Sequence, residues 1–372
     1  MTKVNQSTVS DDYAYMQMAL NISRRGLGIT GPNPSVGCVL VRDGHVIGRG
    51  CTAAGGRPHA ETIAITRAKN AKGATAYVTL EPCAHYGQTP PCAEALVEAG
   101  ITRVVIATGD PDPRVSGGGI KILEEAGVKV DFGILKEQAD FINQGFLQKF
   151  TKQRPLVTLK IASSADGKIA IREGTQTWIT GPESRRRGHL YRANHDAIMI
   201  GIGTALTDNP ILDCRIKGLE DRSPVRVLLD TNLRIPLDSK LCQTAGELPL
   251  WIMTSCFDER KYAALEQKGI KIFCMERDDR NFIDLKMVLK TLMNQGVNRV
   301  LSEGGGKLNA SLIKASLVDR LIWFKSADSV GEKGVDALYG ISTNELNRYL
   351  DLSLIGSGTT GEDQWQEFEV KN

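Results

Sequence analysis

The chain has 372 residues, more than the ~150 of one typical domain, and its 41% apolar and 24% charged residues suffice for packed cores and exclude an intrinsically disordered chain. The net charge is only +3 and no long basic run is present, which argues against polymeric nucleic acid as a partner. The longest apolar stretches, such as residues 197–202, fall far short of the ~18 residues of a membrane span. Asp11 and Asp12 stand where a leader would be basic and then apolar, so no signal or transit peptide is expected and the expected location is the cytoplasm. In a reducing compartment, Cys83 and Cys92 read as a metal or catalytic pair, and the other six cysteines as core filler.

A first helix is predicted over 11–25, with Asp11 or Asp12 as N-cap and Gly26 as its stop. The loop Gly31-Pro32-Asn33-Pro34 leads to a hairpin, 36–42 and 46–50, around the two-residue turn Asp43-Gly44. Helices near 59–70, 91–99 and 118–126 then alternate with strands 75–80, 103–107 and 128–131, the pattern of helices packed on one sheet. A helix over 137–149 runs into a polar stretch closed by Pro155, which sets the expected boundary between a domain 1–150 and a domain 155–372. The second series has strands 156–161, 196–200, 225–230, 249–253, 298–301 and 320–324, with helices near 183–193, 258–268, 283–294 and 307–315. Gln364 to Val370 reads as a closing strand, and no internal repeat is present.

His59-Ala60-Glu61 opens a predicted helix, while Cys83 and Cys92 each follow a proline. One imidazole and two thiolates give a zinc ion three ligands and leave a fourth position for water, whose pKa falls toward ~7 on the metal. Glu61, two residues past the histidine, suits the general acid/base that carries a proton to a departing amine. The general zinc-deaminase signature is H-x-E followed by P-C-x-x-C, whereas here eight residues separate the cysteines, so a longer loop must return the second thiolate. Asn33 is either an amide contact to the heterocycle or a turn former, and His85 and Asp110 are either pocket-lining or solvated loop residues.

In the second half, Gly201-Ile202-Gly203-Thr204-Ala205-Leu206 lacks the third glycine of a Rossmann fingerprint. Gly304-Gly305-Gly306-Lys307 follows a strand and opens a helix, which makes it either a pyrophosphate cradle or a tight turn. Arg192 and Arg215 suit a phosphate monoester, with surface arginines as the alternative, and Trp178 is either a stacking platform or core.

Taken in order, Asn33-Pro34, His59-Ala60-Glu61, Thr79-Leu80-Glu81-Pro82-Cys83, Gly87 through Cys92 and Asp110-Pro111 resemble the bifunctional riboflavin-biosynthesis deaminase–reductase family, of which the long Cys83-to-Cys92 loop is a hallmark. Lys160, Ser164 through Lys168, Trp178-Ile179-Thr180, Gly203 through Pro210 and Glu303-Gly304-Gly305 extend the resemblance over nearly the whole chain. It implies an α/β protein of two domains, an N-terminal cytidine-deaminase-like α/β/α domain and a C-terminal dihydrofolate-reductase-like one. The implied first reaction replaces the 2-amino group of 2,5-diamino-6-(5-phosphoribosylamino)pyrimidin-4(3H)-one by oxygen at a Zn²⁺ site. In the second, NADPH reduces the ribosyl group to a ribityl chain. The resemblance assigns NADPH contacts to Ala162, Trp178, Thr204, Asp208, Thr231 and the segment Gly305, Gly306 and Lys307. It assigns substrate contacts to Gln176, Arg192, Leu212, Arg215 and Glu303. The expected partners are the phosphorylated pyrimidine and a second copy of the chain in a homodimer.

Overall fold

The computed structural model describes residues 6–87, 89–174 and 178–371. The chain forms two compact units, Met1–Gln153 and Arg154–Asn372.

The first unit runs α1 (Gln6–Ser23), β1 (Gly37–Arg42), β2 (His45–Cys51), α2 (Ala60–Ala68), β3 (Thr75–Val78), α3 (Cys92–Glu98), β4 (Arg103–Ile106), α4 (Gly118–Glu125), β5 (Lys129–Phe132) and α5 (Lys136–Thr151). The sheet order is β2-β1-β3-β4-β5, with β1 antiparallel to β2 and β3, and β3, β4 and β5 parallel. Alternation along β1 sorts the two cores. Cys38 and Leu40 pack with α2, α3 and α4 through Ala64, Leu96 and Leu123. Val39 and Val41 pack on the other face with Met16 and Leu20 of α1 and Ile142 of α5. The helix α1 begins five residues before the expected cap. Asp12 is therefore not a cap but a buried interior residue, accepting from the Tyr77 hydroxyl at 2.6 Å and from Arg103 at 2.7 and 2.8 Å. A tertiary ion pair has claimed a side chain that local rules assign to capping.

One contact fixes α2. A Cβ on Gly50 would lie 2.0 Å from the Ala60 carbonyl oxygen, and one on Gly48 would lie 2.3 Å from that of Ala64, so the helix backbone rests directly on the hairpin.

The second unit runs β6 (Leu156–Ser163), β7 (Lys168–Ala170), α6 (Pro182–Ala193), β8 (Ala197–Gly201), α7 (Ile202–Asp208), β9 (Val225–Leu229), α8 (Lys240–Gln243), β10 (Leu250–Thr254), α9 (Glu259–Glu266) and β11 (Lys271–Cys274). It continues with α10 (Leu285–Asn294), β12 (Arg299–Ser302), α11 (Gly306–Lys314), β13 (Arg320–Lys325), β14 (Val335–Asp336), β15 (Asp351–Thr360) and β16 (Asp363–Lys371). The large sheet has the order β11-β10-β9-β8-β12-β6-β13-β16-β15. Its first seven strands are parallel, while β16 is antiparallel to β13 and to β15. From β8 the chain steps outward to β11 and then returns as β12 between β8 and β6. Strand order reverses at that point, and open α/β sheets hold their ligands beyond the carboxyl ends of the strands at such a switch, here β8, β12 and β6.

Candidate functional site

In the first unit, His59 is the residue before α2, held extended at φ −70° and ψ 160°, and Cys92 is the first residue of α3. Cys83 lies in the loop after β3, and the N–H of Cys92 donates to its Sγ at 3.2 Å. The donor atoms of His59, Cys83 and Cys92 all lie within 4.8 Å of one another, with His59 Nδ1 3.1 Å from Cys92 Sγ and 3.6 Å from Cys83 Sγ. Two ligands of a tetrahedral zinc ion, one nitrogen and one sulfur, stand about 3.6 Å apart, so the donor set and its spacing fit zinc. The protons are shared accordingly: hydrogen bonds from Cys92 and His59 draw the Cys83 thiol down to about 4, and the same bond to Cys83, with burial, pushes Cys92 up.

Glu61 is 4% exposed in the first turn of α2, and burial, reinforced by the Cys83 charge, pushes its carboxyl up to about 7. The long loop is tied down by Arg57, whose guanidinium donates to Thr89 Oγ1 at 2.8 Å. Asn33 serves its turn, donating its N–H to the Thr30 carbonyl at 3.0 Å, and its side-chain amide fills the space over Gly56, where a Cβ would fall 1.8 Å from Asn33 Nδ2. Burial pushes the Asp110 carboxyl up to about 6, and nearby Asp112, Glu81 and Cys83 add to the rise. His85 is half-buried and close enough to Asp112 to help hold that carboxyl down.

With three protein ligands, purified protein is expected to carry about one zinc per chain, and Cys83→Ser to lose it. Metal analysis alongside protein concentration checks this, and a fully active deaminase without transition metal would overturn it.

In the second unit, the expected cofactor residues collect at the carboxyl edge of the parallel strands. Ala162 lies on β6, Thr204 and Asp208 on α7 directly after β8, Thr231 just past β9, and Gly305 at the start of α11 after β12. The helix α11 begins without a side-chain cap, and Thr204 Oγ1 is 3.4 Å from where a Cβ of Gly305 would be. Bare amides at an uncapped helix start, facing a hydroxyl, fit a dinucleotide pyrophosphate. The neighbouring glycines have packing reasons: a Cβ on Gly306 would lie 2.3 Å from the Asp336 carbonyl oxygen, and one on Gly304 would lie 2.6 Å from Leu308. Lys307 is exposed, 3.8 Å from Glu173. Trp178 is 66% exposed with the Arg185 guanidinium 4.7 Å from its ring centre, which excludes the core alternative. Burial alone raises the Asp208 carboxyl.

Beside this lies a charged cluster. Arg192 donates through Nε and Nη2 to both oxygens of Glu303, at 2.8 and 3.0 Å, and through Nη1 to the Asp213 carbonyl at 2.9 Å. Lys160 Nζ is 3.8 Å from Glu303. Burial would raise the Glu303 carboxyl, but the Arg192 and Lys160 charges outweigh it and hold the group at about 2. Of the two guanidiniums expected to take a phosphate, Arg192 is thus committed to Glu303. Arg215 is 63% exposed and 3.3 Å from Asp213. Leu212 is buried at φ +64°, a strained turn that brings Asp213 under Arg192. Gln176 lies outside the described residues. Sequence reasoning missed His189 and Asp213, although the spacing of His189 and Arg192, three apart on one helix, puts them on one face.

Residues 155–364 match the family model described as RibD C-terminal domain, and residues 9–108 match the cytidine and deoxycytidylate deaminase zinc-binding region. The riboflavin biosynthesis protein RibD of Bacillus amyloliquefaciens is 44% identical over 319 residues, covering 85% of each chain. Among solved structures, RibD of Acinetobacter baumannii aligns with a TM-score of 0.88 at 35% identity, over 98% of this chain and 100% of that one. A diaminohydroxyphosphoribosylaminopyrimidine deaminase/5-amino-6-(5-phosphoribosylamino)uracil reductase from Thermotoga maritima aligns with a TM-score of 0.82 at 31% identity, over 97% and 99%. Similarity of this depth, running through both units, makes the chain a member of the RibD family of riboflavin biosynthesis, which joins a zinc-dependent deaminase to an NADPH-dependent reductase.

Proposed function

We propose that the first unit deaminates 2,5-diamino-6-(5-phosphoribosylamino)pyrimidin-4(3H)-one at its 2-amino carbon and that the second reduces the ribosyl group of the product to a ribityl chain. The observation that carries the reading is the His59, Cys83 and Cys92 donor set with a buried Glu61 two residues past the histidine, in the first turn of α2. Zinc held there supplies an activated water. Glu61 takes a proton from the attacking side and delivers it to the departing amine, so that ammonia leaves and a carbonyl remains. Asn33, with His85 and Asp110, orients the heterocycle. In the second unit, Ala162, Trp178, Thr204, Asp208, Thr231 and the Gly305 to Lys307 segment hold NADPH. NADPH held there would supply the hydride that reduces the sugar C1. Glu303 and Leu212 line the substrate side, Arg192 orients Glu303, and Arg215 takes the phosphate. Product analysis of the diaminopyrimidine with and without NADPH tests the whole: ammonia release without NADPH and ribityl product only with it are expected.

The role of Arg215 has its own expected outcome. Arg215→Ala raises the KM for the deaminated intermediate tens-fold or more, since a lost charged contact costs about 2–5 kcal/mol. With the dephosphorylated intermediate, wild type and variant should converge. Additive losses would return Arg215 to a solvated surface charge.

The reading includes the cytoplasm, supported by eight free cysteines, as a reducing compartment keeps them. It also includes a homodimer, supported by the ten-residue edge strand β15 with Leu354 and Ile355 exposed, and light scattering measures it.

A further inference from the structure

The segment from Ile211 to Arg215 bears two of the residues assigned to substrate, yet it belongs to neither a helix nor a strand. Its backbone is anchored from outside. The Ile211 carbonyl accepts from the buried Arg226 at 3.1 Å, the Cys214 N–H donates to Ser223 Oγ at 2.9 Å, and the Asp213 carbonyl accepts from Arg192. The last anchor is His189, one turn before Arg192 on α6. Its Nδ1 is 3.0 Å from the Asp213 carbonyl oxygen and 3.3 Å from the Arg215 N, while its own carbonyl lies 3.5 Å from Cys214 Sγ.

Those two contacts of Nδ1 compete, because a single ring nitrogen either donates to the carbonyl or accepts from the amide. Arg192 already satisfies the Asp213 carbonyl, whereas the described hydrogen bonds give the Arg215 N–H no other acceptor. The accounting therefore favours the tautomer with its proton on Nε2 and its Nδ1 lone pair on the Arg215 amide. Half-burial disfavours a charged ring, and the Arg192 and Arg215 guanidiniums oppose it further, so the imidazole is held neutral.

We propose that His189 is a positioning residue of the reductase: by accepting from the Arg215 N–H it fixes the end of the 211–215 segment, so that the Arg215 guanidinium stands where the substrate phosphate arrives. The proposal rests on the reading of Arg215 as the phosphate ligand. It sets His189, which holds the Arg215 end of the segment alone, apart from Arg192, which holds both Glu303 and the Asp213 carbonyl.

The test uses the full-length enzyme with deaminated intermediate, phosphorylated and dephosphorylated, and compares His189→Asn with His189→Gln. An asparagine Oδ1 overlays the histidine Nδ1 and can accept from the Arg215 amide. A glutamine Oε1 overlays Nε2 and cannot. The expected result is that Gln raises the KM for the phosphorylated intermediate about tenfold with kcat within about threefold, because a part-buried amide loses its acceptor. Asn should stay within about threefold of wild type, and neither change should matter for the dephosphorylated compound. Equal effects of Asn and Gln, an equal loss on both compounds, a fall in kcat of the same size, or no effect at all would each overturn the proposal. Arg215→Ala measured in parallel separates the two layers. If it shows no dependence on the phosphate, the phosphate reading fails and the His189 role falls with it. If it does and the Gln variant does not, only the positioning role fails.

Discussion

Glu61→Gln should retain its zinc and lose deamination by about 10²-fold or more, the usual worth of a positioned proton carrier. The amide keeps the size and burial of the carboxyl, so the packing of α2 on the hairpin is unchanged. What it removes is the only group in that turn able to accept a proton and return it to the leaving nitrogen. His59, two residues away, is committed to Cys83 and Cys92, so it offers no substitute. Reduction of separately supplied deaminated intermediate should continue at the wild-type rate, because the second unit carries its own residues. Ammonia release and NADPH oxidation, measured on the two substrates, check both halves. A variant that lost both activities together would overturn the assignment of separate sites.

The second large effect is expected from Arg192→Ala, in both stability and reduction. Side-chain exposure is 14% for Arg192 and 11% for Glu303, so the change strands a buried carboxylate with Lys160, 3.8 Å away, as its remaining ion pair among the described residues. Breaking a buried pair from one side costs about 3–5 kcal/mol, which should appear as earlier denaturant unfolding of the second unit. Reductase activity should fall on the dephosphorylated as well as the phosphorylated intermediate, whereas the Arg215 variant converges with wild type on the former. The pH dependence has a definite sign. In the wild type the Glu303 carboxyl sits at about 2 against an ordinary 4.5, so its contribution to stability is full above about 4.5 and is lost as the pH falls toward 2. In the variant the carboxyl rises instead, the folded state binds a proton more readily than the unfolded one, and the deficit should shrink on acidification. Unfolding curves at pH 7 and pH 5 measure this. An unchanged midpoint, or a deficit that grew at low pH, would show that the pair does not carry this weight.

The legible parts were those whose cause is local. Asp43-Gly44 announces its hairpin because a two-residue turn needs positive φ at both positions, and the two residues sit at 52° and 73°. The three donors that lie together were readable as a set from residue type and order. By contrast, β15 was missed. Its Ser/Gly-rich second half shows no apolar alternation, and it is held by pairing with β16, interrupted by one irregularity at Ile355, and by Trp365, whose ring lies 3.3 Å from where a Cβ of Gly356 would be. Short β7, β11 and β14 escape the sequence for the same reason, since tertiary pairing rather than local pattern makes them, and α7 and α8, of seven and four residues, are too short to show a helical period. The start of α1 was placed too late because Asp12 has partners 65 and 91 residues away. The Arg192–Glu303 pair is not legible in the sequence, because nothing local announces a carboxylate 111 residues on.

The bare contact between Gly50 and the Ala60 carbonyl ties the deaminase's chemistry to a residue that carries none. Ala60 stands between His59 and Glu61, so any side chain added on the hairpin there would lever both away from Cys83 and Cys92 together. Strand and metal centre therefore cannot drift apart independently. Redesign of the deaminase has to leave that end of the hairpin alone or move the whole helix with it.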